Sequence, residues 1–213
     1  MPLDRERVVR TALGLLNRVG LERLTLRRIA RELSVQAPAL YWHFKNKQEL
    51  LDEMATMMFK DLLSGEMPFS SDGPWAESMA GSMRALRRML LGYRDGAKVF
   101  GGTYLTDDTL LESMEFPLRK LTDAGFSVRD AVCSWTTVYS YTIGFVIEEQ
   151  AVYPRPGERD KRYDPSRRAR RIDAKKFPLA LAAGKHAFGD FDQAFENGLQ
   201  MILSGIGQSL RRK

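Results

Sequence analysis

The chain has 213 residues, of which 44% are hydrophobic and 28% are charged. This composition is ordinary for a globular protein and excludes a largely disordered chain, and the length allows one large domain or two modest ones. No apolar run approaches the roughly 20 residues that a membrane span requires, and the N-terminus does not read as a signal peptide, so we expect a cytoplasmic protein without a membrane partner.

The single cysteine, Cys133, supports the same compartment. It lies in the apolar stretch 131–139 and has no second cysteine with which to form an internal disulfide. We therefore predict that Cys133 is a reduced, buried thiol of a cytoplasmic protein.

The charges are distributed unevenly along the chain. Residues 1–50 hold ten Lys and Arg against five Asp and Glu, residues 51–153 hold nine against fifteen, and residues 154–176 hold ten against four. A basic head on an acidic body favours DNA binding by the head, because cationic side chains release counterions from DNA. The second basic segment predicts a mobile loop over residues 154–184, and we interpret its cations as solvated rather than bound to DNA.

Apolar residues recur at helical spacing throughout, and no run alternates for long enough to indicate a strand, so the predicted fold class is all-α. The first helix is expected over residues 5–19, ending before Gly20, which is a natural C-terminal stop. A long helix is expected from Lys47 past Phe59. Beyond a loop at residues 64–74, helices are expected over residues 75–93, 107–124 and 128–153 and from about residue 190 to the C-terminus.

Two short helices are predicted between the first helix and the long one. Thr25 is placed to cap a helix over residues 26–33, and a second short helix is expected over residues 37–44 after a three-residue turn. Two short helices joined by a tight turn form a helix-turn-helix, in which the second helix lies in the major groove of DNA.

The run Leu40-Tyr41-Trp42-His43-Phe44-Lys45-Asn46-Lys47, with residues 24–39 before it, resembles the DNA-binding head of the TetR family of repressors. The resemblance implies that residues 1–47 form a helix-turn-helix domain that docks on double-stranded operator DNA as half of a homodimer on a palindromic site. The positions that it assigns to base reading are Arg27, Gln36, Ala37, Pro38 and Ala39. The further DNA contacts that it assigns are Tyr41, Trp42, His43 and Lys47.

The side chains at these positions indicate which bases of the operator they can contact. Arg27 suits guanine O6 and N7, and Gln36 suits adenine. Ala37 and Ala39 can touch a thymine methyl group but cannot form hydrogen bonds. The tetracycline-repressor class of the family has polar residues at these two positions, so we expect a different operator here.

Residues 88–99, 121–130 and 144–150 resemble the ligand domain of that class. The resemblance implies that residues 48–213 form a helical ligand-binding and dimerisation domain, and that an effector moves the long helix beginning near Lys47. The dimer interface is then expected to involve Val132, Trp135, Val138, Tyr139, Thr142, Val146, Phe191, Phe195, Leu199, Ile202, Ile206 and Leu210.

One departure from this class affects the predicted signal. There, a histidine and a glutamate hold a magnesium–drug chelate; Glu148 matches the glutamate, but Phe100 occupies the histidine position. A phenyl ring cannot ligate a metal, so we predict no metal, no cofactor and an apolar small-molecule effector. The candidate residues that line its site are Leu63, Ser82, Leu86, Phe100, Thr103, Tyr104, Phe116, Trp135, Tyr139 and Glu148.

Two alternatives remain open from the sequence. One is a magnesium–tetracycline-type chelate sensor that still uses Glu148, and the other is an architectural DNA binder that ignores ligands. An enzyme has little support, because the only histidines are His43 and His186 and no catalytic triad, metal-ligand cluster or phosphate-binding glycine loop is visible in the sequence.

Overall fold

The computed structural model describes residues 3–65 and 73–211, and this part of the chain is built from helices and connecting loops. Its helices are α1 (Arg5–Val19), α2 (Leu26–Glu32), α3 (Ala37–Tyr41), α4 (Lys47–Ser64), α5 (Trp75–Leu91), α6 (Gly96–Phe100), α7 (Thr109–Asp123), α8 (Val128–Val152), the 3-10 turn η1 (Lys161–Tyr163), α9 (Pro165–Arg171), α10 (Pro178–Ala187) and α11 (Phe191–Arg211). An isolated bridge between Arg155 and Glu158 is the one β-type pairing within the described ranges. The predicted all-α class is confirmed, and no helix in these ranges is both long and apolar enough to cross a bilayer.

Side-chain caps start the first two helices of the head. Asp4 Oδ1 accepts a hydrogen bond from Arg7 N at 2.8 Å, and Thr25 Oγ1 accepts one from Arg28 N at 3.3 Å. Both the bounds of the first helix and the Thr25 cap were predicted and are confirmed. Between α2 and α3, Ser34 has a φ of 56°, in the left-handed region, which lets the chain reverse within three residues.

The helix predicted over residues 37–44 is shorter than expected. It ends at Tyr41, because the N–H groups of both His43 and Phe44 bond to the carbonyl oxygen of Leu40 and close a final turn. Phe44 therefore leaves the helix axis and is fully buried in the core of the head.

Helix α4 runs without interruption from the head into the body. Asn46 caps its first turn, where Asn46 Oδ1 accepts a hydrogen bond from Glu49 N at 2.9 Å. Leu50, Met54 and Met58 are buried along its length, so α4 contributes to the packing of both regions. An ion pair between Arg5 and Glu53, at 2.8 Å, holds the start of α1 against it.

Helix α8 lies at the centre of the body and packs against both α5 and α11. The approach to α11 is close at Gly198, where any side chain would collide with the Tyr141 hydroxyl. That hydroxyl donates a hydrogen bond to the Phe195 carbonyl oxygen at 3.0 Å. The glycine costs about 1 kcal/mol of helix propensity, which this contact within one chain offsets.

A buried ion pair links α5, α8 and α11. Arg87 donates two hydrogen bonds to the Glu149 carboxylate, at 2.9 and 2.7 Å, and its side chain is only 11% exposed. The same guanidinium contacts Asp192 at 2.7 Å and lies 5.0 Å from the centre of the Phe195 ring. Burial alone would lower the pKa of Arg87, but its hydrogen bonds to both carboxylates outweigh this effect and hold the pKa above its ordinary value.

Three sequence-based expectations about the body need correction. The segment 154–184, predicted as a loop, contains η1, α9 and part of α10, because Asp164 caps α9 and Pro165 and Pro178 each occupy a first helical turn. The short helix α6 was not predicted. The loop predicted at residues 64–74 lies mostly outside the described residues.

The third correction concerns the faces of α8 and α11. Cys133 is exposed rather than buried, because it lines an open hollow at the surface between α8 and α11, together with Ile206 and Ser209. Several residues expected at the dimer interface are instead buried inside the chain, because α8 and α11 use their most apolar faces to pack on each other. These residues are Val138, Thr142, Val146, Phe195 and Leu199.

We expect the substitution Glu149→Ala to destabilise the fold by about 3 kcal/mol or more, because it removes the main partner of a buried guanidinium. Glu196→Ala is the matched control: Glu196 forms an equivalent two-point contact with Arg84, but these side chains are 34% and 37% exposed. An exposed pair contributes about 1 kcal/mol or less. Urea unfolding would measure both losses, and equal losses would contradict the structural role assigned to Arg87.

Candidate nucleic-acid interface and effector cavity

The residues predicted to read bases lie together on one surface of the head. Arg27 is exposed on the first turn of α2, and Gln36 and Pro38 are exposed where α3 begins. Ala37 and Ala39 are partly buried beside them, as expected for small residues on a helix that also packs against α2. The Gln36 side chain does not cap α3 and so is not engaged at the start of that helix.

The aromatic residues that follow divide into two groups. Trp42 is 90% exposed and Tyr41 is 53% exposed, whereas Leu40 and Phe44 are fully buried. A side chain with this exposure does not pack in a core, so core packing does not account for the tryptophan at position 42. Phe44 packs under the Arg5 guanidinium, which lies 4.6 Å from the ring centre.

Two further predicted contacts, His43 and Lys47, stand at the edge of this surface. The carbonyl oxygen of His43 accepts a hydrogen bond from Arg5, which fixes the backbone after α3. Lys47 is exposed on the first turn of α4, and its Nζ donates to the Leu21 carbonyl oxygen at 2.9 Å. All nine predicted DNA contacts thus belong to α2, α3, the turns on either side of α3 and the start of α4.

The body encloses a cavity of about 360 Å³ between α4, α5, the α6–α7 connection, α7 and α8. Its walls are mainly apolar, with a few hydroxyl groups. The lining residues are Phe59, Leu62, Ser82, Met83, Leu86, Phe100, Thr103, Tyr104, Leu105, Ser113, Met114, Trp135, Thr136 and Tyr139.

The polar groups of the cavity differ in their availability. Ser82 Oγ donates to the Ser78 carbonyl oxygen at 2.9 Å, and Thr103 Oγ1 donates to the Phe100 carbonyl oxygen at 2.7 Å. The Tyr139 hydroxyl has no hydrogen-bond partner among the described residues, and burial raises the pKa of this group. Tyr139 therefore stays a neutral donor that a ligand could engage.

Seven of the ten candidate ligand residues line this cavity, and Leu63, Phe116 and Glu148 do not. On α4 the lining positions are Phe59 and Leu62, whereas Leu63, about 100° around the helix from Leu62, does not line the cavity. Phe116 lines a separate surface hollow with Trp75. Glu148 is exposed on the outer face of α8, whereas its neighbour Glu149 is the buried carboxylate.

The lining residues that the sequence analysis missed mostly lie next to predicted ones or one helical turn away from them. Met83 and Thr136 follow Ser82 and Trp135 directly, and Leu105 follows Tyr104. Helical spacing from Leu86 and Tyr139, each three residues further along, would have indicated Met83 and Thr136, whereas Leu105 lies outside the helices. Ser113 and Met114 had no such signal, because the position of α7 over the cavity is decided by tertiary packing.

The cavity of a single chain does not fit a magnesium chelate. Among the residues that the structure describes, no carboxylate or imidazole lines it, and the Phe100 ring centre lies 6.2 Å from that of Phe59. Within residues 3–65 and 73–211 no group of three or more His, Cys, Asp or Glu side chains is arranged to hold a metal. The chemistry of these walls suits an apolar ligand.

A hydrogen-bonded connection joins the cavity to α4. Asp52 Oδ1 accepts from Tyr104 N at 3.1 Å, and Thr56 Oγ1 accepts from Thr106 N at 2.9 Å. Lys60, one turn further along α4, forms an ion pair with Asp107. The α6–α7 connection supplies part of the cavity wall. It is therefore bound to α4, the helix that begins in the head.

A second connection joins the end of α1 to the turn between α5 and α6. Asp95 Oδ2 accepts from Leu21 N at 2.9 Å, and Asn17 Oδ1 accepts from Arg94 N at 2.8 Å. Gly20 lies between these contacts with a φ of 79° and leaves room for the Arg94 side chain. The head is thus held to the body at both α1 and α4.

Comparison with known proteins matches both regions. The family "Bacterial regulatory proteins, tetR family" matches residues 8–54, and "Tetracyclin repressor-like, C-terminal domain" matches residues 67–210. The chain is 41% identical over 206 residues to the tetracycline repressor protein class C of Escherichia coli, covering 96% of this chain and 90% of that protein.

Solved structures agree with this match. A possible TetR family transcriptional regulator from Streptomyces coelicolor A3(2) has a TM-score of 0.83 and 38% identity, covering 97% of this chain and all of that one. A single-residue variant of TetR from Acinetobacter baumannii AYE in complex with minocycline has a TM-score of 0.73 and 31% identity, with coverage of 98% and 99%. The predicted resemblance is confirmed: with a helix-turn-helix head followed by a helical C-terminal domain, this chain belongs to the TetR family of transcriptional regulators.

Proposed function

We propose that this chain is a transcriptional repressor that binds a palindromic operator as a homodimer and is released by an apolar small molecule. The observation that carries the proposal is the fastening of one apolar cavity to α4, the helix whose first turn carries Lys47. A ligand that fills this cavity acts on the α6–α7 connection, and the connection acts on α4.

The outer face of α8 and α11 supports the homodimer. Val132, Thr136, Ser140 and Gly144 recur every four residues along the exposed side of α8. Beside them on α11, Met201 is 74% exposed. Small side chains let two helices approach closely, and the Met201 side chain adds apolar area that a partner chain would cover. This face replaces the buried residues originally assigned to the interface.

The lining of the cavity supports an apolar effector. Aromatic and aliphatic side chains dominate its walls, and Tyr139 supplies one unengaged hydroxyl group. A volume of about 360 Å³ lies within the range of small-molecule sites, near its lower end. The binding-site assignments of Ser82, Leu86, Phe100, Thr103, Tyr104, Trp135 and Tyr139 remain part of this proposal.

The chelate sensor remains the second candidate because of two proteins to which this chain is similar. The Escherichia coli relative is a tetracycline repressor, and the Acinetobacter structure contains minocycline. In a homodimer, the exposed Glu148 faces outward along with the proposed interface and could reach the cavity of the partner. Phe100 argues against this candidate, because it places a phenyl ring where the resemblance expects a metal ligand.

Tetracycline with and without magnesium separates the two candidates. We expect that tetracycline plus Mg²⁺ leaves the protein on its operator, because Phe100 cannot complete the metal site. Fluorescence anisotropy of a labelled operator duplex would measure the bound fraction, with EDTA in the matched control. Release that occurs only when Mg²⁺ is present would contradict the apolar-effector proposal and establish the chelate sensor.

Substitutions in the head separate base reading from phosphate binding. Arg27→Ala should relax specificity at one base pair of the operator at a cost of about 1–3 kcal/mol, whereas Lys47→Ala should weaken all duplexes alike. Arg119→Ala, in the exposed Arg119–Glu115 pair on α7, is the control. Binding titrations on an operator selected from random sequence, and on its single-base variants, would measure these effects.

Two results would count against these assignments. If Arg27→Ala and Lys47→Ala caused the same uniform loss, the division between base and phosphate contacts would be wrong. If the unaltered protein failed to prefer its selected operator over random DNA by roughly 10³ or more at physiological salt, a ligand-independent architectural binder would replace the repressor.

The connection between the cavity and α4 is tested by Thr56→Val, which keeps the shape of the side chain and removes the hydroxyl. We expect amide hydrogen exchange at Thr106 to become about 2- to 13-fold faster, because the partly buried hydrogen bond that is lost contributes about 0.5–1.5 kcal/mol. Thr122→Val removes a hydroxyl that bonds only within α7 and should leave Thr106 unchanged. Unchanged exchange at Thr106 in the Thr56 variant would exclude this connection as the route of the signal.

A further inference from the structure

The surface formed by η1 and α9, residues 161–171, carries a dense group of cations that the proposed switch does not use. It contains six Lys and Arg residues and one acidic residue, Asp164. We call this surface the basic lobe. Its cations line one hollow together with Tyr163 and Phe188; they are Lys161, Arg162, Arg167, Arg168, Arg170 and Arg171.

The basic lobe is attached firmly to the body rather than carried on a solvated linker. Arg159 donates to the Tyr153 hydroxyl at 2.7 and 3.0 Å and to the Tyr163 carbonyl oxygen at 3.1 Å. The Tyr163 ring packs 5.6 Å from the ring of Phe188. Asp160 N, just before η1, donates to the carbonyl oxygen of Val152 at the end of α8, at 2.8 Å.

The chain leading into the lobe contacts the DNA-binding head. Arg155 donates to the Arg18 carbonyl oxygen on the last turn of α1, at 3.1 Å. Arg155 lies six residues before η1. Far apart in sequence, the segment that leads into the lobe and the end of α1 are therefore neighbours in the fold.

The contact with Arg18 places the chain leading into the lobe near the predicted DNA contacts. The Arg18 side chain forms an ion pair with Glu32 at 2.6 Å, and Glu32 is the last residue of α2, the helix that carries Arg27. Leu21, three residues after Arg18, accepts the hydrogen bond from Lys47 Nζ. The lobe therefore lies at the flank of the surface that faces the operator.

The charges of the lobe are largely uncompensated. The side chains of Arg167, Arg170 and Arg171 are exposed and form no ion pair with any residue that the structure describes. Arg168 is held by the Ala180 carbonyl oxygen at 3.0 Å, and Arg162 by Asp160 at 2.9 Å. Three free guanidinium groups on one short helix repel each other, so an anionic partner would stabilise the arrangement.

We propose that the basic lobe is a second DNA-binding surface, which contacts backbone phosphates flanking the operator through Arg167, Arg170 and Arg171. This inference rests on the proposed function, because it requires the head to dock on DNA first. DNA is favoured over a small anion because the lobe adjoins the head and its three free guanidinium groups are exposed along one helix. Phosphate contacts of this kind add affinity without sequence preference.

The triple variant Arg167→Gln/Arg170→Gln/Arg171→Gln tests the proposal. Removing one phosphate contact reduces the slope of log K against log salt concentration by about 0.9, so we expect the slope to fall by about 2–3 per protomer. The measurement is fluorescence anisotropy on the selected operator, once as a minimal duplex and once extended by about one helical turn, roughly 10 bp, on each side. The reduction should occur on the extended duplex and be small on the minimal one.

A control variant with the same change in net charge separates local contact from the overall field. Arg88→Gln/Arg119→Gln/Arg129→Gln removes three exposed cations from α5, α7 and α8. A third variant, with lysine at positions 167, 170 and 171, retains the charges and should restore most of the slope, since lysine also binds phosphate. Circular dichroism and thermal unfolding would establish that all three variants keep the fold.

The outcomes discriminate between this inference and the repressor proposal. An unchanged slope on the extended duplex, as a lobe that binds only a small anion would give, overturns the inference while leaving the operator preference intact. An equal reduction in the control variant also overturns it, since the effect would then be one of net charge. Failure of the proposed function is distinct, because the unaltered protein would then show no preference for any operator.

Discussion

The structure depends on the constraint that α4 is one rigid helix packed into two regions. Its first half is buried with α1 in the head through Leu50 and Met54, and its second half reaches the cavity through Phe59 and Leu62. A helix without a break cannot absorb a displacement at one end by bending locally. In the proposed switch, a change in the cavity wall is passed along this helix to its first turn, where Lys47 lies.

Two sets of hydrogen bonds hold the head to the body and restrict how α4 can move. The hydrogen bonds of Asp52 and Thr56 to the α6–α7 connection act near the middle of α4, while Asn17 and Asp95 hold α1 to the body. The buried pair of Arg87 and Glu149 keeps α5 and α8 fixed on the other side of the cavity. The arrangement suits a signal that displaces the head relative to a stable body.

The position of the basic lobe depends on contacts between the end of α8, the turn between α5 and α6, and the head. The lobe follows α8, whose end lies beside the turn between α5 and α6, because Gln150 donates hydrogen bonds to the carbonyl oxygens of Leu90 and Tyr93. The contacts of Arg94 and Arg155 with the Arg18 carbonyl oxygen then bring the following segment to the head. A single joint thus places the end of the body next to the DNA-binding surface.

The sequence by itself determined the features that depend on local chemistry. Helical spacing and caps such as Thr25 predicted α1 and α2, and the Tyr41–Lys47 motif identified the head and the family. The resemblance to the family, rather than spacing, indicated Trp135 and Tyr139, which line the cavity. The helix predictions succeeded because neighbouring residues on one helix share its geometry, whichever elements pack around it.

Tertiary structure decided which face of each helix meets which neighbour. Periodicity marks Val138, Phe195 and Glu148 as parts of amphipathic helices, but only the packing of α8 on α11 buries the first two and leaves the third outside. The same holds for Leu62 in place of Leu63, and for the basic segment, which only the fold brings close to the head through Arg155. Such contacts join residues far apart in the chain, so no local pattern encodes them.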